Sequence, residues 1–149
     1  MTNVGAMKRA TFMISGLQGP RDALRLERYL ASHQGIRRAV IRWDFRAAKT
    51  EFDEHIVSAQ AVTRLIAKSN AEGHAEELVA RLLLKVPSVR IEEKARLPAY
   101  VLSKLPGVES VTPQMAFQAV EVGFALEGDL TTDDLIRTLA VERIIANLM

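Results

Sequence analysis

The chain contains no cysteine. That single absence excludes disulfides, zinc fingers, iron–sulfur clusters and thiolate catalysis, and it removes the soft sulfur ligands that select Cu(I). No apolar run approaches the length of a transmembrane helix. Lys8 and Arg9 precede a few apolar residues, but Ala10 to Ile14 is too short for a signal peptide, so a cytoplasmic protein without membrane insertion is expected. There is no Walker loop and no dinucleotide fingerprint. No Ser/His/Asp grouping, paired catalytic acids or nucleophile elbow stands out, and the expectation is that the protein is not an enzyme and carries no cofactor. No Met-x-Met or Met-x-x-Met cluster offers a thioether copper site.

Apolar residues make up 48% and charged residues 26% of the 149, ordinary for a globular chain. The net charge of +2 hides an asymmetry. Residues 1–72 hold 12 Lys/Arg against 7 Asp/Glu, and residues 73–149 hold 8 against 11. The halves are therefore suited to attract one another, or the first to face an anionic partner.

The strongest signal is an internal repeat at a spacing of 72. Leu30, Gly35, Ile36, Ala39, Ala48, Thr50 and Phe52 line up with Leu102, Gly107, Val108, Val111, Val120, Val122 and Phe124. Halves of about 70 residues are near the size at which one core is marginal, so they are expected to bury surface against each other.

Within the first half, residues 1–10 read as a tail. Thr11 to Ser15 alternates as a strand with Phe12 and Ile14 on one face. Pro20 opens a helix, with Ala23, Leu26, Leu30 and Ala31 as its stripe and Gly35 as its C-cap. Ala39 to Trp43 reads as a strand with Ala39, Ile41 and Trp43 facing the core. Residues 44–47 turn the chain into a strand whose inward residues are Ala48, Thr50 and Phe52. Ser58 N-caps a second helix with Ala61, Val62, Leu65 and Ile66 buried, and residues 71–74 form a loop. Leu78 to Val86 alternates, long for one strand, and is expected to close the first half and open the second. A helical reading of residues 75–84 competes with it.

In the second half, Pro98 predicts a helix shortened to residues 97–105, and Pro113 predicts an edge or a turn. Gln118 to Phe124 is a strand. Thr131 or Thr132 caps a final helix, with Asp133 and Asp134 at its positive end and Leu135, Ile136, Leu139 and Ala140 facing in. Residues 141–149 read as strand or continued helix. Strand-helix-strand-strand-helix-strand is the split βαβ, ferredoxin-like motif, written twice in an α+β chain. Residues 11–80 form one copy and 81–149 a second, divergent one.

One family has this order and spacing. Gly16-Leu17-Gln18-Gly19-Pro20-Arg21-Asp22, the helical run Ala23 to Leu30, and then Gly35-Ile36 resemble the heavy-metal-associated (HMA) domain, whose signature is Gly-Met-x-Cys-x-x-Cys, a helix and then Gly-Val. Lys104 to Val111, with Gly107-Val108, echoes it in the second half. That domain is found in copper chaperones and in the amino-terminal repeats of metal-pumping ATPases, and the resemblance implies a tandem of such units here. It also marks a departure. Gly19 and Asp22 stand where the two metal-binding cysteines would be, Leu17 replaces the usual Met, and Glu92, Glu93 and Lys94 occupy the equivalent region of the second half. Glycine offers no ligand, and aspartate offers hard oxygen. The family loop positions Gly16, Gly19 and Asp22 are thus expected to hold no metal by thiolate.

Topology gathers three loops at one end of the first unit. They carry Gln18, Arg21, Asp22, Asp44, Arg46, Glu72 and His74. Asp22, Asp44 and His74 are the candidate oxygen/nitrogen set for Zn²⁺ or a similar ion, opposed electrostatically by Arg21 and Arg46. His33 and His55 fall at the opposite end. Gly19-Pro20-Arg21 at a helix start is a second kind of candidate, for anions, but Asp22 competes and Pro20 removes a donor. Arg37, Arg38, Arg42 and Arg46 with Trp43 and Phe45 raise nucleic acid, but Trp43 is assigned to the core and Phe45 to the turn, so none is expected. Three readings follow. The first is a non-catalytic HMA-like interaction module with a protein partner, a metal-transport ATPase or its own copy. The second is a metal carrier or sensor using Asp/His ligands. The third is an ACT-like pair of domains sensing a small molecule.

Overall fold

The computed structural model describes residues 7–69 and 78–149. Its elements are β1 (Met7–Ser15), α1 (Pro20–Ala31), β2 (Ile36–Arg42), β3 (Ala47–Asp53), α2 (Ala59–Lys68), β4 (Val79–Lys85), α3 (Glu92–Ser103), β5 (Val108–Gln114), β6 (Ala119–Phe124), α4 (Thr132–Val141) and β7 (Asn147–Leu148). All seven strands lie in one sheet of order β2-β3-β1-β4-β6-β5, with β7 added to β4.

Strand β4 is the hinge of this order. It pairs antiparallel with β1 through Thr11↔Leu83 to Ser15↔Val79 and with β6 through Leu82↔Val122 to Lys85↔Ala119. Where β1 has run past the end of that pairing, β7 takes over the same edge at Leu84↔Leu148. The order β2-β3-β1-β4 is that of one split βαβ unit, and β5-β6-β4-β7 repeats it, with β4 common to both. Its alternation explains the double duty: Leu78, Ala80, Leu82, Leu84 and Val86 are all buried. The boundary between residues 80 and 81 therefore falls inside a single strand, and the helical reading of 75–84 fails from Val79 onward.

The 72-residue spacing holds at fine grain. Helices α1 and α3, and strands β2 and β5, start and stop 72 positions apart. Each unit has a register shift at the same place, between Ile36 and Arg38 and between Val108 and Ser110. Gly35 and Gly107 both have positive φ, at 95° and 101°. The carbonyl of each accepts an N–H at 2.8 Å, from Asp53 and Ala125 respectively. Gly35 is thus a strand-entry glycine, not a helix cap: α1 ends at Ala31, with Ser32 as C-cap.

One core lies on the helical side of the sheet. Phe12, Ile14, Leu26, Leu30, Phe52, Ile66, Leu78, Leu82, Leu84, Leu102, Leu135 and Leu139 are its largest fully buried members, and Phe12 packs against Phe52 with ring centroids 6.1 Å apart. Burying one such side chain contributes about 1.5–3 kcal/mol.

Several expectations are corrected. Residues 7–10 are strand, not tail, because Met7 to Ala10 pair with Asp53 to Thr50 and Ala10 is buried. Helix α3 begins at Glu92, well before residue 97, with Pro98 inside it. The proline is tolerated because Ala95, Pro98 and Leu102 form the inward face, so packing offsets a lost hydrogen bond costing about 3 kcal/mol. Pro113 lies on β5, an edge strand as expected. Thr131 is the N-cap of α4, in a capping box with Asp134. Residues 147–148 are strand. Ala31, Ala140 and Trp43 are exposed, the last because β2 ends at Arg42, one residue before it.

Candidate functional site

The β1–α1 loop is where the sequence resemblance placed the metal-binding positions of the family. Gly16 and Gly19 take positive φ, 102° and 138°, a conformation easy for residues without Cβ. Pro20 starts the helix. Asp22 turns back to accept the amide of Gln18 on one oxygen at 3.1 Å. Its other oxygen accepts two Arg25 donors, at 3.1 Å from Nε and 2.6 Å from Nη2. Arg25 also donates from Nη1 to the carbonyl of Ser69, the C-cap residue of α2, at 2.6 Å. Asp22 is buried at 8% exposure. A carboxylate so engaged holds two helices together and closes its own loop, with at least three of its roughly four acceptor sites taken.

Asp44 sits in the exposed β2–β3 turn, 3.5 Å from Arg42, and Arg42 lies over the Phe45 ring at 5.0 Å. Arg46 takes positive φ at 53°, and its carbonyl accepts Ile14 N–H at 2.7 Å. Both aspartates of the candidate set are thus ion-paired to arginines, and His74 lies outside the described residues. Among the described residues no group of three His, Asp or Glu side chains is placed to hold a metal ion. At the other end, His33 Nδ1 lies 2.7 Å from the Tyr29 carbonyl, and its ring packs on Tyr29 at 4.6 Å. In the second unit Lys94 occupies the position equivalent to Asp22, at the start of α3.

Sequence reasoning missed the polar clamp between the halves. Gln60, fully buried, donates to the carbonyls of Ala125 at 2.9 Å and Glu127 at 2.8 Å and accepts the Leu130 amide at 3.0 Å. Arg64 donates to the carbonyls of Leu126 at 2.9 Å and Gly128 at 3.0 Å. The loop before α4 is thereby held against α2. Glu54 accepts the amide of Thr132 at 2.8 Å and its hydroxyl, so an acid from the first half caps a helix of the second. Burial pushes its pKa above the ordinary 4.5, with Asp133 adding to the rise, while the Thr132 hydrogen bonds and Lys8 oppose it. Lys8 reaches Asp133 at 3.0 Å. Only the opposite charge balance of the halves hinted at this seam.

A cleft of about 590 Å³ opens where β4 and β6 part beyond Leu82↔Val122, between Val79–Arg81 and Gly123–Leu126. It is within the usual size range of small-molecule sites.

No family model matches the chain, and no curated protein matches it. Solved structures similar to it include the water-soluble region of the P-type ATPase CopA from Bacillus subtilis, with 16% identity over 95% of this chain and 91% of that one and a TM-score of 0.47. Oxidized MerP from Ralstonia metallidurans CH34 aligns over 52% of this chain and 97% of its own, with 17% identity and a TM-score of 0.44. The N-terminal extension of CzcP from Cupriavidus metallidurans aligns over 94% and 99%, with 20% identity and a TM-score of 0.39. The fold assignment stands on the strand order and registers described above, not on these alignments. No helix among the described residues is long and apolar enough to cross a membrane.

Proposed function

We propose that this protein is a non-catalytic interaction module of the HMA type, two split βαβ units merged through one strand, which works beside metal-ion transport without carrying soft metal by thiolate. Its partner is a protein, either a metal-transport ATPase or a second copy of the chain. The observation that carries the reading is the occupied loop. Where a metal carrier needs two unencumbered soft ligands, this chain has Gly19 and a buried Asp22 locked to Arg25 and to the Gln18 amide. Freeing Asp22 for an ion would take its carboxylate from Arg25, whose guanidinium also binds the Ser69 carbonyl at the end of α2. The scaffold is kept and the grip is gone, a pattern that suits recognition better than transfer.

Equilibrium dialysis against Cu(I), Zn²⁺ and Cd²⁺ tests it. Binding no stronger than that of a ligand-poor surface is expected for all three. Stoichiometric, tight Cu(I) binding that Asp22→Ala weakens would overturn the proposal.

A further inference from the structure

The face of the sheet turned away from the helices differs between the two units. Phe12, Ile41, Ala48 and Phe52 are buried on the helical side. Side chains alternate along a strand, so the opposite face carries Arg9 on β1, Arg38, Val40 and Arg42 on β2, and Lys49 and Glu51 on β3. Register brings them together: Arg9 and Arg38 both lie opposite Glu51, and Val40 lies opposite Lys49. At a spacing of 72 the same positions hold Arg81, Ser110, Thr112, Gln114, Glu121 and Gly123. Four cations against one acid become one against one. The positive excess of the first half is thus gathered on the outer face of β2-β3-β1, and the second unit has no counterpart to it.

That charge is not neutralised within the face. Glu51 is already held by Arg9 at 3.3 Å and approached by Arg37 at 4.0 Å. Arg38 and Lys49 are exposed, and among the described residues they have no ion pair. Together with Arg9 and Glu51 they line a depression of about 450 Å³, whose apolar lining includes Val40 and Met149. The Thr11 hydroxyl fixes Met149 there by donating to its carbonyl at 2.6 Å. Apolar side chains among arginines are the anatomy of a protein interface. No aromatic side chain lies on the outer face of these three strands, because Trp43 and Phe45 follow the end of β2. A nucleic acid would find charge here without the stacking platform that bases need. Two copies meeting through this face would oppose like charges.

We propose that the outer face of β2-β3-β1 is where a partner protein docks, and that the partner is a different chain presenting carboxylates around an apolar side chain. The carboxylates pair with Arg38, Lys49 and Arg42, and the apolar side chain enters the depression beside Val40 and Met149. The inference rests on the interaction-module reading, which supplies the protein partner, and it moves the contact from the β1–α1 loop to the sheet.

The test titrates the full chain, followed by its amide NMR signals, with three probes. They are a short blocked peptide of glutamates around a central leucine, an all-glutamate peptide of the same length, and a thymidine oligonucleotide of the same charge. Saturable shifts confined to β1, β2 and β3 are expected with the leucine peptide at low ionic strength, weakening as salt is added. The all-glutamate peptide should bind about five-fold more weakly, since it has nothing to bury in the depression. Arg38→Glu and Lys49→Glu should each weaken the leucine peptide about five-fold or more, whereas Arg28→Glu, exposed on α1, should leave it unchanged. Circular dichroism checks the fold, and Arg38→Gln and Lys49→Gln replace any reversal that does not fold. Silence of all three strands, shifts centred on the helices or on β5 and β6, or full affinity in both strand variants would overturn the proposal. So would an oligonucleotide that binds more tightly than the leucine peptide, or self-association in sedimentation velocity that Lys49→Glu abolishes. Failure of the underlying reading is separate: tight Cu(I) binding in dialysis would sink the module and leave these shifts in place.

Discussion

Replacing Gln60 with alanine should weaken the whole protein, not one half of it. The side chain has no exposed surface and makes three hydrogen bonds to the loop of residues 125–130. Each such bond contributes about 1 kcal/mol net, and a buried group left without a partner costs about 1–3 kcal/mol. Truncation strands two carbonyls and one amide, although water reaching the loop edge would relieve part of that. A loss of about 3–5 kcal/mol is expected, a large share of a typical stability of about 5–15 kcal/mol. Gln60→Glu serves as a companion, since a carboxylate keeps the Leu130 contact but has no donor for the carbonyls of Ala125 and Glu127; it should be no milder than alanine. The assay is urea unfolding followed by circular dichroism, with the midpoint read at constant slope. A loss below about 1 kcal/mol would show that the seam is held by the shared sheet alone and that the clamp is incidental.

Two further outcomes follow from single groups. Glu54 has a folded pKa raised above 4.5 by burial, so the folded protein binds its proton more tightly than the unfolded chain does. That contribution is fully present below pH 4.5 and is lost as pH rises through the folded value. The stability of wild type relative to Glu54→Gln should therefore fall with rising pH across that window and then level off; a difference that is flat, or that rises, would contradict the assignment. Among the described residues the buried Thr50 hydroxyl has no hydrogen-bond partner, and the second unit has Val122 at the equivalent position. Thr50→Val should stabilise the protein by about 1 kcal/mol in thermal unfolding, and a destabilisation of that size would mean the hydroxyl is satisfied.

What was legible in the sequence was whatever a period or a repeat could carry. The alternation of Leu78 to Val86 marked β4 and its double membership, and the Gly35/Gly107 pair marked the repeat, although Gly35 was read as a helix cap where it enters a strand. The last helix was announced by Asp133 and Asp134 at its start, with Thr131 and Thr132 both open as its cap. The failures have physical causes of their own. Trp43 continues the alternation of Ala39 and Ile41 past the point where pairing stops, and periodicity does not report where a strand ends. Pro98 argues locally against a helix that tertiary packing sustains. At the candidate site, the pairing of Asp22 with Arg25 and of Asp44 with Arg42 was not legible, because it depends on side-chain reach. Gln60 and Glu54 gave no signal, because their partners are main-chain groups some 65 to 78 residues away, and backbone carbonyls have no residue code.

Strand β4 also decides how this chain can be divided. A fragment ending before Val79 would leave the flank of β1 with unsatisfied amides and carbonyls, a template for unwanted assembly. A fragment beginning after Lys85 would lack the strand on which both β6 and β7 are laid. Neither excised piece should be a sound expression target, whereas the two pieces mixed, with β4 on either one, should find each other and reconstitute. Ancestral gene duplication, if it made this molecule, left behind one indivisible body where two separable ones would be expected.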